Sequence, residues 1–208
     1  MELTKQHILA WLEQSNESFN QHHAFLTELD TAIGDADHGL NMQRGFNKVA
    51  EKLPTVADKD IGTILKTTGM TLLSSVGGAS GPLFGTLFMK MAVPAMGKEN
   101  LTLAEFTQVL NEGVAGVVAR GKAELGDKTM CDVWLPVIAS LQSQSDLATA
   151  LQAITSVAEN ALAETIAMQA KKGRASYLGE RSIGHQDPGA TSAMLMIKAL
   201  NKAVNGNG

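Results

Sequence analysis

The sequence predicts an all-α fold, with about eight antiparallel helices in an up-and-down helical barrel or bundle. Three observations carry this. Apolar residues recur at three- and four-residue spacing through most of the chain, which puts them on one face of a helix. Helix-start signatures stand ahead of these runs at Thr4, Asp60, Thr102, Asp146 and Asp187. No stretch reads convincingly as a strand.

The elements follow in order. Thr4 caps a first helix that buries Ile8, Leu9, Trp11 and Leu12. A second is expected from about Gln21 to Leu29, with Phe25, Leu26 and Leu29 on one side. After an acidic loop, Leu40 to Leu53 carries Met42, Phe46, Val49 and Leu53 on one helical face, and Pro54 is expected to end it. Asp60 caps the next helix, with Ile61, Ile64 and Leu65 inside, up to the stretch Gly77-Gly-Ala-Ser-Gly-Pro82. A further helix runs toward Met96. Thr102-Leu-Ala-Glu105 is a capping box that opens a helix to about Arg120, with Gly121 as its terminator. Beyond the loop Gly121 to Thr129, a helix holds Val133, Leu135 and Ile138, with Pro136 near its first turn. Asp146 caps a long helix through Met168. The polar loop Lys171 to Gln186 leads to a last helix with Asp187 as N-cap and Pro188 as first residue, ending near Asn201. The tail Asn205 to Gly208 is expected to fray.

Composition bounds the function. The 208 residues, 44% hydrophobic and 18% charged, suit one domain spanning 1–208. A formal net charge of −4 argues against direct nucleic-acid binding. The start of the chain has no apolar secretory core, and no apolar run approaches a membrane span. Cys131 is the only cysteine, so neither an intrachain disulfide nor a thiolate zinc cluster is available. A soluble, cytoplasmic protein is expected.

Four loops are richer in special residues than turns require: Asp30 to Asn41, Gly77 to Pro82, Gly121 to Cys131, and Gly173 to Ala190. Alternate loops of an up-and-down bundle lie at one end, so these are expected to converge on one rim. The first places Asp30, Asp35 and Asp37 within eight residues. Aspartates also serve as caps and turn residues, but three at this spacing suit a hard cation such as magnesium. An EF-hand fails, because counting from Asp35 puts Phe46 where the late glutamate belongs. His38 is either a capping histidine or a phosphate donor at the start of the next helix. In the second loop, Gly77, Gly78 and Gly81 either connect two helices or expose amides, with the Ser80 hydroxyl, to a phosphate. Gly116 to Ala123 nearly spells a Walker A loop, but Ala123 stands where the magnesium hydroxyl belongs and no strand precedes it. Met130 fits either the core or an adenine face. An arginine of the fourth loop suits bidentate phosphate contact, whereas Lys171 and Lys172 read as a solvated face.

Taken together, Gly34-Asp-Ala-Asp37-His-Gly, Gly78-Ala-Ser-Gly-Pro82, Gly126-Asp-Lys-Thr-Met130 and Gly173-Arg-Ala-Ser-Tyr177 through Asp187-Pro-Gly-Ala190 resemble the nucleotide-binding subunit of dihydroxyacetone kinase. The resemblance spans nearly the whole chain and implies a single nucleotide-binding domain of eight antiparallel helices. It implies that Asp30, Asp35 and Asp37 bind two magnesium ions. It implies that His38, Gly39, Leu40, Asn41, Gly78, Ala79 and Ser80 meet the phosphates and sugar. Gly121, Met130, Arg174, Asp187, Pro188 and Gly189 would line the rest of the site. No residue is assigned as a general acid or base. The resemblance further implies a free-standing phosphotransferase subunit that holds ADP as a cofactor. A phosphohistidine donor protein of the phosphotransferase system would convert it to ATP, and the γ-phosphoryl would pass to dihydroxyacetone on a partner kinase subunit, giving dihydroxyacetone phosphate. Two alternatives stay open: a kinase subunit that exchanges free ATP, or a nucleotide-loaded module that docks on a transcriptional regulator.

Overall fold

Side-chain caps fix where the helices start. A computed structural model describes residues 1–206. At the head of α1 (Lys5–Ile33), the Thr4 hydroxyl accepts from the His7 amide at 3.2 Å, and His7 Nδ1 accepts from the Thr4 amide at 3.1 Å. After α2 (His38–Val56), α3 (Ile61–Ser75) is capped by Asp60, which accepts from Thr63 N at 3.0 Å. Beyond α4 (Ser80–Ala95), the Thr102–Glu105 box closes on α5 (Leu103–Gly121) through bonds of 3.2 and 2.8 Å. After α6 (Cys131–Leu141), Asp146 caps α7 (Leu147–Glu164) and Asp187 caps α8 (Pro188–Asn205), at 2.9 and 2.7 Å. Each such bond satisfies an amide that the helix itself leaves unpaired.

Several boundaries differ from those the sequence suggests. The two expected N-terminal helices are one helix of 29 residues, α1. No glycine or proline interrupts it, and Ser15 and Phe19 carry the buried face of Ile8 and Leu12 on to Leu26. Phe25 faces outward, 44% exposed. Pro54 lies inside α2, two residues before its end, where a lost hydrogen bond costs little. The left-handed residue after α5 is Lys122 (φ 48°), one place beyond Gly121. Pro136 falls in the second turn of α6. The α7 helix tightens to a 3-10 turn at Thr165–Ala167, and the polar loop after it winds into 3-10 turns over Arg174–Ser182. Asn205 completes α8 and Gly206 caps it, while the last two residues of the expected frayed tail, Asn207 and Gly208, lie outside the described residues. One small ladder had no signal in the sequence. β1 (Leu3–Thr4) pairs antiparallel with β2 (Asn100–Leu101), two residues on each side.

The eight α-helices of the described residues form a closed ring. Each packs on the next in sequence, and α8 returns to α1. The Trp11 indole donates to the Met196 carbonyl at 2.8 Å across that closing seam. Inside the ring, Trp11 meets Phe88 with ring centroids 5.6 Å apart, Phe46 meets Phe88 at 6.5 Å, and Phe19 meets Phe46 at 4.7 Å. These contacts tie α1, α2 and α4 together through the core. Up-and-down order puts every connection from an odd to an even helix at one end: residues 34–37, 76–79, 122–130 and 165–187. They are the loops singled out in the sequence. No helix among the described residues is long and apolar enough to cross a membrane.

Phe46 sits at the centre of the aromatic chain with no exposure. Phe46→Ala is expected to lower the unfolding free energy by about 3–5 kcal/mol, read as a shifted urea midpoint with an unchanged slope.

Candidate active site at one end of the barrel

The site begins with one carboxylate. Asp30, in the last turn of α1, is buried, and its Oδ2 accepts from the amides of Asp37 at 2.9 Å and His38 at 3.0 Å. One carboxylate oxygen thus shapes the α1–α2 loop and caps the start of α2. Gly34 closes against it. Its amide donates to the Asp30 carbonyl at 2.6 Å, and a β-carbon there would overlap Asp30 Oδ1. Ala36 takes a left-handed φ of 63°, which turns the loop so that Asp35 and Asp37 come round beside Asp30. One oxygen from each of the three carboxylates lies within 4.8 Å of the other two. Burial, and then the neighbouring Asp35 charge, hold the Asp37 carboxyl above the ordinary aspartate value. Oxygen donors gathered this closely, with like charges opposed, fit a hard divalent cation that completes its shell with water and phosphate.

Beside the cluster, His38 is sealed in. Its Nδ1 lies 2.9 Å from Ser80 Oγ and its Nε2 2.7 Å from Ser192 Oγ, so both ring nitrogens are engaged by hydroxyls. Burial pushes its pKa down to about 4, which leaves it neutral at pH 7. The ring therefore joins the starts of α2 and α4 to α8 and orients the Ser80 hydroxyl. Just beyond it, the Asn41 amide returns to the Asp37 carbonyl at 2.9 Å. Gly39 lets this helix start press on α1, since a β-carbon there would overlap the His23 carbonyl. The glycine-rich turn runs alongside, with Gly78 at φ 64°.

These parts frame a cavity of about 420 Å³, within the range of small-ligand sites. Asp30, Asp35, Asp37 and His38 line one side, with Gly78, Ala79 and Ser80 adjoining. Gly121, Met130, Asp187, Pro188 and Gly189 also line it, and Ile33, Leu83, Val117 and Ala123 add apolar surface. Arg174 reaches over from the last loop, its Nε 2.8 Å from Asp35 Oδ2. Asp187 is fully enclosed, which pushes its pKa up to about 7. Three of the residues singled out in the sequence, Gly39, Leu40 and Asn41, stand outside the lining. The Leu40 side chain is 57% exposed, and Asn41 Oδ1 accepts from Arg44 Nη2 at 2.7 Å.

The sequence alone left out Gly34, Lys128 and Lys172, all of which line the cavity. For Gly34 a signal existed: a glycine one residue before Asp35, with no turn type that demands it. Lys172 corrects the solvated-face reading. It lines the cavity, and both it and Lys171 approach the Asp127 carboxylate, at 3.8 and 3.7 Å.

A helical barrel with an acidic cluster at one rim is the class that fold and site define. Residues 32–202 match the family model described as the DAK2 domain, and the chain belongs to that family. It is 60% identical over 204 residues to the Escherichia coli (strain K12) protein named "PEP-dependent dihydroxyacetone kinase, ADP-binding subunit DhaL", covering 96% of this chain and 97% of the relative. It is 39% identical over 202 residues to the "PTS-dependent dihydroxyacetone kinase, ADP-binding subunit DhaL" of Lactococcus lactis, covering 97% and 99%. Among solved structures, the native dihydroxyacetone kinase of C. freundii superposes with a TM-score of 0.73 at 25% identity. That match covers 94% of this chain and 34% of the other, so the chain spans about a third of that kinase.

The role of Gly34 yields a prediction. Gly34→Ala displaces the Asp30 carboxylate and loses its bonds to α2, an expected cost of about 2 kcal/mol. Chemical denaturation reads the loss, and a circular dichroism spectrum of the unstressed variant should remain helical.

Proposed function

We propose that this chain is the ADP-binding subunit of a phosphoenolpyruvate-dependent dihydroxyacetone kinase. It takes a phosphoryl group from a phosphohistidine donor protein of the phosphotransferase system. It delivers that group to dihydroxyacetone held on a partner kinase subunit. The observation that carries this reading is the three-aspartate cluster at a cavity that apolar side chains also line. The aspartates suit metal-bound phosphates, and the apolar side chains suit a nucleoside. The likeness to the E. coli subunit, across almost the full length of both chains, supports it.

In this reading Asp30, Asp35 and Asp37 hold two magnesium ions. When bound, magnesium supplies charge neutralisation for the nucleotide phosphates. Asp30 does double duty, since its Oδ2 is committed to the α2 amides while its carboxylate also belongs to the cluster. The phosphates lie near the start of α2, whose positive helix end favours anions. Gly78, Ala79 and Ser80 add backbone and hydroxyl contacts. Neutral His38 acts through Ser80, holding its hydroxyl in place. Arg174, already turned toward the cluster by Asp35, supplies a planar cation for phosphate oxygens. Gly121, Met130, Asp187, Pro188 and Gly189 enclose the nucleoside end. Positioning and neutralisation suffice for phosphoryl transfer, so no side chain is given the role of general base.

Asp35→Ala and Asp37→Ala are each expected to abolish nucleotide retention and coupled formation of dihydroxyacetone phosphate, while the helical spectrum persists. The assay mixes the chain with a dihydroxyacetone-binding subunit and a phosphohistidine donor. Wild-type turnover by either variant contradicts the metal assignment.

A further inference from the structure

The loop around Gly126-Asp-Lys-Thr-Met130 holds a lysine that the site description leaves unexplained. Lys128 is 2% exposed, and its backbone sits at a left-handed φ of 63°. Its side chain ends on two carbonyls: Nζ donates to Met168 O at 3.0 Å and to Ser182 O at 2.7 Å. Burying an ammonium is costly unless its hydrogens are satisfied, so both the placement and the strained backbone call for a purpose.

The two carbonyls mark the neck of the last rim loop. Between them the chain makes its excursion over residues 169–181, and Lys128 draws the two ends together. The Ser182 hydroxyl works at the same neck, accepting from Ala170 N at 2.9 Å and donating to Gly179 O at 2.6 Å. The Gly184 amide bonds the Ile166 carbonyl at 2.7 Å just outside it. The tip is more exposed by contrast. The Tyr177 side chain is 85% exposed, and Arg174 touches the acidic cluster through the single pair with Asp35. Arg174 lies between the two ends of this loop, so the neck sets where it can reach.

We propose that Lys128 is a positioning residue of the active site: it fastens the neck of the 169–181 loop and thereby sets the reach of Arg174 toward the metal and phosphate end. The fastening stands on geometry alone, and its consequence for nucleotide rests on the function proposed above.

Two measurements on the full chain test it. The first is trypsin digestion without ligand. Lys128→Met, which keeps the length but not the donors, should be cut at Lys171, Lys172, Arg174 and Arg181 at least about 10-fold faster than wild type. Sites in α2 and α3 should be cut at an unchanged rate. Should Lys128→Met lose its helical spectrum, Lys128→Gln carries the same comparison. The second is release of a fluorescent ADP in magnesium from wild type, Lys128→Met, Arg174→Ala and the double variant. Lys128→Met should release ADP about 100-fold faster, and adding it to Arg174→Ala should change little more, because one acts through the other. Unchanged digestion at the four sites overturns the fastening. An effect of Lys128→Met of equal size in the Arg174→Ala background overturns the positioning role. A wild-type chain that binds no ADP contradicts the proposed function instead, and the digestion still decides the fastening.

Discussion

The rim of the barrel depends on one oxygen. Asp30 Oδ2 accepts the amides of Asp37 and His38, and through them sets where α2 begins relative to where α1 ends. The three aspartates converge because that short loop is folded around one of them. Gly34 makes the arrangement sterically possible, and the left-handed Ala36 supplies the turn. The charge that organises the loop belongs to the set of three gathered carboxylates, so the fold of the rim and its acidic cluster share an atom group. Like charges brought together in this way cost free energy, and the burial of Asp30 adds to it. The amides and the helix start offset part of that cost.

The barrel supplies what that loop needs from the rest of the chain. Closure of α8 onto α1, with the Trp11–Met196 bond across the seam, brings the last loop back beside the first. Arg174 can therefore meet Asp35, although 138 residues lie between them in sequence. His38, between Ser80 and Ser192, ties three helices at the same level. All four odd-to-even connections contribute lining to the one cavity, and special residues crowd into these loops.

Much of the fold was legible because it is local. A cap needs only its own helix, and Thr4, Asp60, Thr102, Asp146 and Asp187 all cap where the sequence places them. The aspartate cluster was legible for the same reason, with all its members inside one loop. Where a boundary depended on packing, local reading failed. The polar middle of α1 suggested a break, yet Ser15 and Phe19 face the core and the helix runs through. Long-range partners had no local sign at all. Nothing near Lys128 announces carbonyls from residues 168 and 182, and nothing near Lys172 announces Asp127. The run from His38 to Asn41 reads as one motif, but helix geometry sends successive side chains to different faces. His38 lines the cavity, while Leu40 points to solvent.

The central claim is that this cavity holds a nucleoside diphosphate on a magnesium cluster as a resident cofactor. The most direct test is to purify the chain in magnesium without added nucleotide, denature it, and identify by mass spectrometry what is released. The account predicts ADP in near-stoichiometric amount. A protein that releases nothing, and binds neither ADP nor ATP when they are added with magnesium, would contradict it.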